Sequence, residues 1–409
     1  MGITATTWSV NRAYELATQY RQRGIPVVLG GVHPSMLPEE AGRFADAVVV
    51  GDAEEIWADV VRDAAAGRLQ PVYRPSTPDL TGLRQPRRDL ITGRYMFTSI
   101  STVRGCPYRC EFCAIDRFYG GKVRRRPLPE VMDELRTLGE RPVYFVDGNL
   151  YGHSKRDRGD FIELCRAIED DQRAGRLRFD GWVCYAPVDA LADDEALAAA
   201  RDAGCRVVRV GFESINEASL AEMRKRQNVR MGADRYRELI ANAQRHGLMV
   251  TGEFLIGADG DTPESLRQTR EFILSSGLDL MRLNILQPMP GTDLLSRWQG
   301  EGRLTIGDFP ADWDRLQDDA FLSVVYEPKN IGGRELQEFA RETGRAFYGY
   351  RGIARRTLHG ARRMRSWTGT VAMAAVNVKS RGLYYDFGAR GRSGLASEVR
   401  RRLLRALRA

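Results

Sequence analysis

The sequence predicts an α/β protein whose largest part is a partial (β/α)6 barrel. Six apolar strands alternate with amphipathic helices over about 190 residues, which is typical of a parallel β/α barrel. Short apolar segments that end in glycine precede them and predict a smaller layer of parallel strands and helices. Helical periodicity without strand patterns follows the barrel, so we expect a helical C-terminal region.

The composition is that of an ordinary globular protein. The chain has 409 residues, 43% hydrophobic and 28% charged, with six cysteines and a net charge of +8. No apolar run reaches the ~18 residues that a membrane-spanning helix needs. The N-terminal residues lack the basic and then apolar order of a signal peptide, so we expect a cytoplasmic protein with reduced thiols.

The first unit is predicted over residues 1–70. Residues 2–4 resemble the end of a strand, a helix is expected over 9–24, and buried strands over 25–29 and 47–50, with a helix through 55–60. This reads as a Rossmann-like layer cut short, whose exposed strand edge should pack against the barrel or pair with another chain. Residues 71–95, rich in Pro, Arg and Thr, are interpreted as a linker.

The barrel is predicted over residues 96–295, with its active site at the C-terminal ends of the strands. Its strands are expected over residues 97–103, 143–146, 182–185, 207–210, 250–256 and 281–286. The separating helices should be centred near Met132, Ile162, Leu197, Leu239 and Ile273.

Residues 296–409 are predicted to form a helical, arginine-rich region, with helices over 336–346 and 399–407. A helix with leucines and arginines can lie on an anionic membrane surface, and a solvated face explains the same pattern. Nucleic acid is not expected as a partner, because no aromatic stacking array accompanies the arginines. The first basic run comprises Arg355, Arg356, Arg362, Arg363 and Arg365.

Three cysteines, Cys106, Cys110 and Cys113, directly follow the first barrel strand. Thiolates so spaced can surround one compact metal centre, and soft sulfur ligands select iron-sulfur clusters, zinc or copper(I). Structural zinc takes four protein ligands, and clusters in electron carriers usually have four cysteines. Three cysteines therefore leave one iron open to a ligand that is not protein. The alternative is three incidental cysteines, as we expect of the core residues Cys165, Cys184 and Cys205.

The spacing CxxxCxxC, with the aromatic Phe112 before the last cysteine, resembles the signature of the radical S-adenosylmethionine (SAM) superfamily. The resemblance covers residues 97–292 and implies that Cys106, Cys110 and Cys113 hold a [4Fe-4S] cluster whose fourth iron binds the methionine part of SAM. It also implies reductive cleavage of SAM to methionine and a 5′-deoxyadenosyl radical, which abstracts a hydrogen from substrate.

Two polar motifs at strand ends resemble SAM-contacting positions of this superfamily. Asp147 and Asn149 follow the second strand, where the family touches the SAM amine, although a plain turn explains them equally well. Glu213 and Ser214 follow the fourth strand and resemble the ribose-contacting position. The alternative for Glu213 is an acidic cap of the next helix.

The fifth strand resembles the glycine motif whose backbone approaches adenine. Its residues are Gly252, Ile256 and Gly257, and glycine lowers the steric barrier to such an approach. Glycines also mark strand bends, so the motif is informative mainly through its order after the others.

Residues 1–70 resemble the second half of a cobalamin (B12)-binding domain. The resemblance rests on the loop with Thr6, the pair Gly30 and Gly31, and residues 50–52, and implies that these small residues leave room for the nucleotide tail of cobalamin. The Asp-x-His-x-x-Gly motif of such domains is absent, so we expect weaker cobalamin binding than in a fuller relative. His33 is expected to be a loop histidine with a structural hydrogen bond.

Together these features resemble the cobalamin-binding branch of the radical SAM superfamily, which includes hopanoid methylases and the anaerobic magnesium-protoporphyrin ester cyclase. The branch implies methylation of an unactivated carbon in a small-molecule substrate. It implies a [4Fe-4S] cluster, SAM and cobalamin as cofactors, and a reductant such as flavodoxin or ferredoxin. The alternatives are a cobalamin-free radical rearrangement or cyclisation, and a non-catalytic iron-sulfur electron-transfer protein.

Overall fold

The computed structural model describes residues 1–76, 79–93, 95–316, 321–364 and 367–385. Its N-terminal sheet has four parallel strands in the order β1-β2-β3-β4, which confirms the predicted α/β layer. The strands are β1 (Gly2–Thr4), β2 (Val28–Gly30), β3 (Ala47–Val49) and β4 (Val72–Tyr73). The helices are α1 (Val10–Gln22), α2 (Val32–Met36), α3 (Pro38–Gly42) and α4 (Trp57–Ala65).

Strand β4 lies inside the stretch predicted as linker. Val72 pairs with Val48 and Tyr73 with Val49, which extends the sheet by two residues. A strand this short, with Val72 largely exposed, leaves no apolar pattern in the sequence.

The N-terminal layer packs against the segment that follows the barrel. Tyr14 and Val48 share a buried core with Leu295, Trp313 and other apolar residues as far as position 325. Strand β1 pairs with β2 alone among the residues that the structure describes. The layer is therefore held to the rest of the chain through its apolar face.

The larger sheet has six parallel strands in the order β12-β11-β10-β9-β8-β5, and its end strands β5 and β12 do not pair with each other where the structure is described. This confirms a partial barrel. Its strands are β5 (Thr98–Ile100), β8 (Val143–Phe145), β9 (Trp182–Ala186), β10 (Cys205–Glu213), β11 (Met249–Ile256) and β12 (Leu280–Ile285). A small antiparallel hairpin joins β6 (Val103–Arg104) to β7 (Arg124–Arg125), so the single strand predicted over 97–103 is wrong beyond Ile100.

Helices cover the outside of the barrel. The helices of this part of the chain are α5 (Ala114–Phe118), α6 (Leu128–Thr137), α7 (Lys155–Arg173), α8 (Asp194–Asp202), α9 (Glu217–Glu222), α10 (Arg226–Met231), α11 (Tyr236–Arg245), α12 (Pro263–Ser275) and α13 (Asp293–Gly300).

Side chains along each barrel strand point alternately toward the helices and into the barrel lumen. Val208, Val210 and Phe212 of β10 are buried in the core, so the intervening Arg209 points into the lumen.

The C-terminal region is helical as predicted, with α14 (Gly333–Phe347), α15 (Tyr350–Met364) and α16 (Trp367–Tyr385). The predicted helix over 399–407 lies outside the described residues. Arg356 of the predicted basic run is buried, where its guanidinium contacts Asn377 and the Phe347 ring. It therefore adds nothing to a basic surface. Among the described helices, none has the length and apolar character to cross a membrane.

Two tyrosines of this region cover the outer edge of β12. The Tyr348 hydroxyl accepts from Met281 N at 3.0 Å and donates to Met281 O at 2.6 Å. The Tyr384 hydroxyl accepts from Leu283 N at 3.1 Å. Side chains thus satisfy backbone groups that lack a neighbouring strand.

Candidate active site

The cysteine loop begins where hairpin strand β6 ends, beside the C-terminal end of the barrel. Gly105 has φ of +94°, and a Cβ atom there would lie 1.9 Å from the Lys122 carbonyl oxygen. Only glycine fits this close approach of two chain segments. The Cys113 amide donates to the Cys110 carbonyl at 3.1 Å, and α5 starts directly afterwards. The backbone conformation of the loop is therefore fixed at both of its ends.

The three thiols share one partly buried environment. Burial raises the pKa of Cys106, Cys110 and Cys113, that of Cys110 to about 11. The nearby Lys225 ammonium opposes the rise in each case. A cation beside three thiols favours the thiolate form that binds metal.

The three thiols fit an iron-sulfur cluster by their chemistry. In a [4Fe-4S] cluster each cysteine would bind a different iron, which leaves the fourth iron without a protein ligand. In the described residues, no three His, Cys, Asp or Glu side chains converge on one metal position. Cys165, Cys184 and Cys205 are buried in the core, as predicted.

Glu213 and Lys225 form a buried ion pair next to this loop. Lys225 Nζ lies 2.9 Å from Glu213 Oε1, and both side chains are about 10% exposed (11% and 10%). Burial alone would lower the pKa of Lys225, but Glu213 and Cys110 outweigh it and raise that pKa above its ordinary value. Glu213 has φ of +60°, beside an irregular register between Gly211 and Glu213. Such strain in a non-glycine residue is typical of functional sites.

Asp147 and Asn149 use their polar groups within the chain. The Asp147 carboxylate accepts four hydrogen bonds, from the hydroxyls of Ser101 and Thr102 and the amides of Thr102 and Val103. Asn149 exchanges two hydrogen bonds with Gly152. These contacts tie β5 to β8 and close the following loop, which accounts for both residues without a cofactor.

The remaining residues predicted to contact SAM differ in the hydrogen bonds and packing contacts that they make within the chain. The Ser214 hydroxyl accepts from the Asn216 amide at 3.0 Å. A Cβ atom at Gly257 would lie 2.0 Å from the Tyr326 hydroxyl, and one at Gly252 would lie 2.7 Å from Leu278. Internal packing therefore requires both glycines. The Ile256 side chain is buried in the core, so at this position only the backbone can approach a ligand.

Phe112 packs against the barrel core, while its neighbour Glu111 is anchored from outside the loop. Arg297 of α13 donates to both Glu111 carboxylate oxygens, at 2.7 and 3.1 Å. Sequence patterns did not indicate Glu111, Arg297 or Lys225. No sequence signal identifies Lys225, although Gly211 leaves room for the ion pair: a Cβ atom there would lie 2.4 Å from Glu213 Oε1 and 3.3 Å from Lys225 Nζ.

The edge of the N-terminal sheet predicted to bind cobalamin meets the barrel near the cysteine loop. Asp52, beyond β3, pairs with Arg104 at 3.0 Å and with Arg124 at 2.9 Å, and both arginines belong to the β6–β7 hairpin. Gly30 ends β2 on the same edge. Thr6 is exposed and hydrogen bonds with Ser9.

Gly31 and His33 have structural explanations at this edge. Gly31 has φ of +94°, and its Cβ atom would lie 2.5 Å from the Thr4 hydroxyl. His33 is fully buried and hydrogen bonds with Thr7 at 3.2 Å and Glu40 at 3.1 Å. The expected structural hydrogen bonds of His33 are confirmed, although the residue lies in α2 and not in a loop.

Inside the barrel, polar side chains form a layer that sequence patterns did not reveal. Arg209 Nε donates to Glu253 at 2.8 Å, and Arg209 Nη1 donates to the Tyr144 hydroxyl at 2.9 Å. The guanidinium also lies over the Tyr185 ring, 4.6 Å from its centroid. The four residues come from β8, β9, β10 and β11, so only the register of the sheet brings them together.

Comparison with known families confirms both resemblances. The Radical SAM superfamily model matches residues 100–273, and the B12 binding domain model matches residues 1–61. The chain is 28% identical over 354 residues to bacteriochlorophyllide d C-12(1)-methyltransferase of Chlorobaculum tepidum, covering 83% of this chain and 72% of that protein. It is 31% identical to the hopanoid C-2 methylase of Rhodopseudomonas palustris over 69% of this chain and 54% of that protein.

Among solved structures, the chain has the fold of the radical SAM methyltransferase TsrM from Kitasatospora setae, solved with cobalamin and a [4Fe-4S] cluster bound. The TM-score is 0.63 at 18% identity, and the match covers 92% of this chain and 79% of TsrM. The shared fold includes the N-terminal layer, the barrel and much of the helical region.

Proposed function

Because the chain belongs to the radical SAM superfamily, in the branch with a cobalamin-binding domain, we propose that it methylates an unactivated carbon of a small-molecule substrate. The observation that carries the proposal is the ion-paired junction of Asp52 with Arg104 and Arg124. It holds the carboxyl edge of the N-terminal sheet against the hairpin from which the cysteine loop emerges. A methyl donor on one edge and a radical generator on the other would then face one substrate.

The cysteines fit the cluster that this reaction needs. When bound, a [4Fe-4S] cluster supplies the electron that cleaves SAM, and cobalamin carries the methyl group. Cys106, Cys110 and Cys113 would hold the cluster, and Lys225 would offset part of its negative charge. Glu213 would accept the ribose hydroxyls of SAM while Lys225 keeps that carboxylate oriented.

The remaining assignments are proposals of the same kind. Gly30, Gly31 and Thr6 would border the cobalamin tail, with Gly30 the residue least needed for packing. An electron-transfer protein such as flavodoxin or ferredoxin would supply the electron. We assign the protein to the cytoplasm, where its six free cysteines stay reduced.

The test is anaerobic reconstitution with iron, sulfide and hydroxocobalamin, followed by dithionite, methyl-labelled SAM and candidate substrates. We expect wild-type protein to release 5′-deoxyadenosine and to label the product. The triple variant Cys106→Ala, Cys110→Ala, Cys113→Ala should do neither. Cys165→Ala, which removes a core thiol, is the matched control and should keep both activities.

Each part of the proposal has its own contrary result. A cluster that assembles fully on the triple variant overturns the ligand assignment. Formation of S-adenosylhomocysteine without methyl label in any product contradicts methylation of the substrate. An intact cluster that never cleaves SAM identifies an electron-transfer protein.

A further inference from the structure

A cavity of about 390 Å³ lies at the end of the barrel opposite the cysteine loop. It is bordered by the first residues of several barrel strands and by one side of α16. Such a volume is within the range of small-molecule sites. The lining is mainly apolar and includes Phe97, Val183, Val207, Met281, Val376 and Leu383.

The polar wall of this cavity carries more positive than negative charge. Arg209 is paired with Glu253, but Arg282, the register partner of Glu253 on β12, also borders the cavity. Within the described part of the chain Arg282 makes no hydrogen bond or ion pair, and the Phe321 ring lies 6.0 Å from its guanidinium. Burial raises the pKa of Glu253, and the nearby Arg282 charge opposes that rise. Lys379 of α16 adds a second cation to the lining.

The lining thus holds two guanidiniums and an ammonium, and the Glu253 carboxylate lies beside the two guanidiniums. A partly buried guanidinium without a partner is costly, and an anion brought to it would be stabilised by charge-assisted hydrogen bonds. The apolar walls below it favour a hydrocarbon or ring body over a hydrated ion.

From this arrangement we infer that the cavity binds an apolar molecule with one anionic group, such as a long-chain carboxylate, with the anion on Arg282. The apolar body lies between the strand beginnings and α16. Val207, at the strand beginnings, is about 20 Å from Glu213 at ~3.3 Å per strand residue, whereas Arg282 is level with Gly211 through Glu253 and borders the cavity on the side nearer the proposed reaction centre. The inference does not depend on the proposed methylation.

Dodecanoate and uncharged dodecanol, both below micellar concentration, test this site by titration calorimetry on the full chain. We expect one dodecanoate per chain, and at least tenfold weaker binding of dodecanol, about the worth of one charge-assisted contact. Arg282→Gln should weaken dodecanoate to the level of dodecanol, while Arg282→Lys should retain most of the affinity.

Two further variants separate binding from folding. Val376→Trp should block the cavity for both probes while leaving the wild-type Arg282 in place. Arg267→Gln is the matched control and should bind like wild type, because this exposed arginine pairs with Glu264 outside the cavity lining. The inference is overturned if dodecanol binds as tightly as dodecanoate, if Arg282→Gln or Val376→Trp leaves dodecanoate binding unchanged, or if Arg267→Gln weakens it equally.

Discussion

Glu111 and Arg297 form a bidentate ion pair that holds the middle of the cysteine loop against α13. The Glu111 carboxylate is only 7% exposed, and the Leu294 amide of the same helix donates to the Glu111 carbonyl at 3.1 Å. Arg297 also reaches Glu222 at 2.8 Å and Asp259 at 2.8 Å. One arginine thus connects the cysteine loop to the segments that follow β10 and β11.

Replacing Arg297 with Met should loosen the loop and lower cluster content. The change leaves the buried Glu111 carboxylate without its partner, which we expect to lower the free energy of unfolding by roughly 2 to 3 kcal/mol. We expect less iron and sulfide per chain after anaerobic reconstitution. Adding Glu111→Gln should restore part of the loss, and Arg267→Met should have no effect. Full cluster content in Arg297→Met would show that the pair does not hold the loop.

The Glu213 and Lys225 pair should be strongly coupled. Lys225→Met leaves Glu213 buried and alone, which we expect to cost about 3 to 5 kcal/mol in the free energy of unfolding. The double variant with Glu213→Gln should recover at least half of this, as measured by urea unfolding. If the two losses simply add, the pair is not coupled.

Acid should weaken the contacts of Asp259. Partial burial alone would raise its pKa, but hydrogen bonds from Arg303, Lys329 and Arg297 lower it to about 2. Since the pKa is lower in the folded than in the unfolded protein, the stabilisation is present above pH ~4 and is lost as the pH falls toward 2. Asp259→Asn should cost about 1 kcal/mol at pH 7, after allowance for solvent screening.

The same substitution should cost almost nothing at pH 2. Unfolding curves at both pH values measure the difference, and Asp234→Asn is the control because this exposed residue has no ion pair in the described structure. An equal cost of Asp259→Asn at pH 7 and pH 2 would contradict the assignment.

The two glycines at the end of β2, Gly30 and Gly31, should respond differently to alanine. Gly31→Ala places a methyl group 2.5 Å from the Thr4 hydroxyl in a left-handed backbone, so we expect a loss of roughly 1 to 3 kcal/mol. Gly30→Ala meets only Val49 at a normal 3.8 Å and should leave stability unchanged. Thermal unfolding measures both variants, and an equal loss would mean that the crowding at Gly31 is relieved by a backbone shift.

The sequence predicted those parts of the fold that depend on local pattern. All six barrel strands and five of the eight α-helices described between them are predicted, because apolar residues alternate or recur with the period of the element. The short helices α5, α9 and α10 are not. The predicted strand boundaries are wrong where hydrogen bonding between distant strands determines the end of an element. Val103, predicted as part of the first barrel strand, instead pairs with Arg125 in the β6–β7 hairpin. The short β4 exists only through its contact with β3.

The same distinction between local pattern and long-range contact applies to the residues of the candidate site. Cys106, Cys110 and Cys113 were predicted because their spacing within one loop is itself the signal. Lys225 and Arg297 could not be predicted, because their partners lie 12 and 186 residues away and no motif connects them. Asp147 stood at the expected strand end, but the four donors that occupy its carboxylate are visible only in three dimensions.

The phenol groups of Tyr348 and Tyr384 have a consequence for assembly. A free edge of a parallel sheet normally attracts strands from other molecules, and a partial barrel has two such edges. At β12 these hydroxyls occupy the donor and acceptor positions that an incoming strand would need. The helical region therefore opposes edge-to-edge association of barrels into fibres. In a chain that ended before α14, the backbone groups of β12 would be free to pair with a strand of another molecule, even if every residue of the barrel were retained.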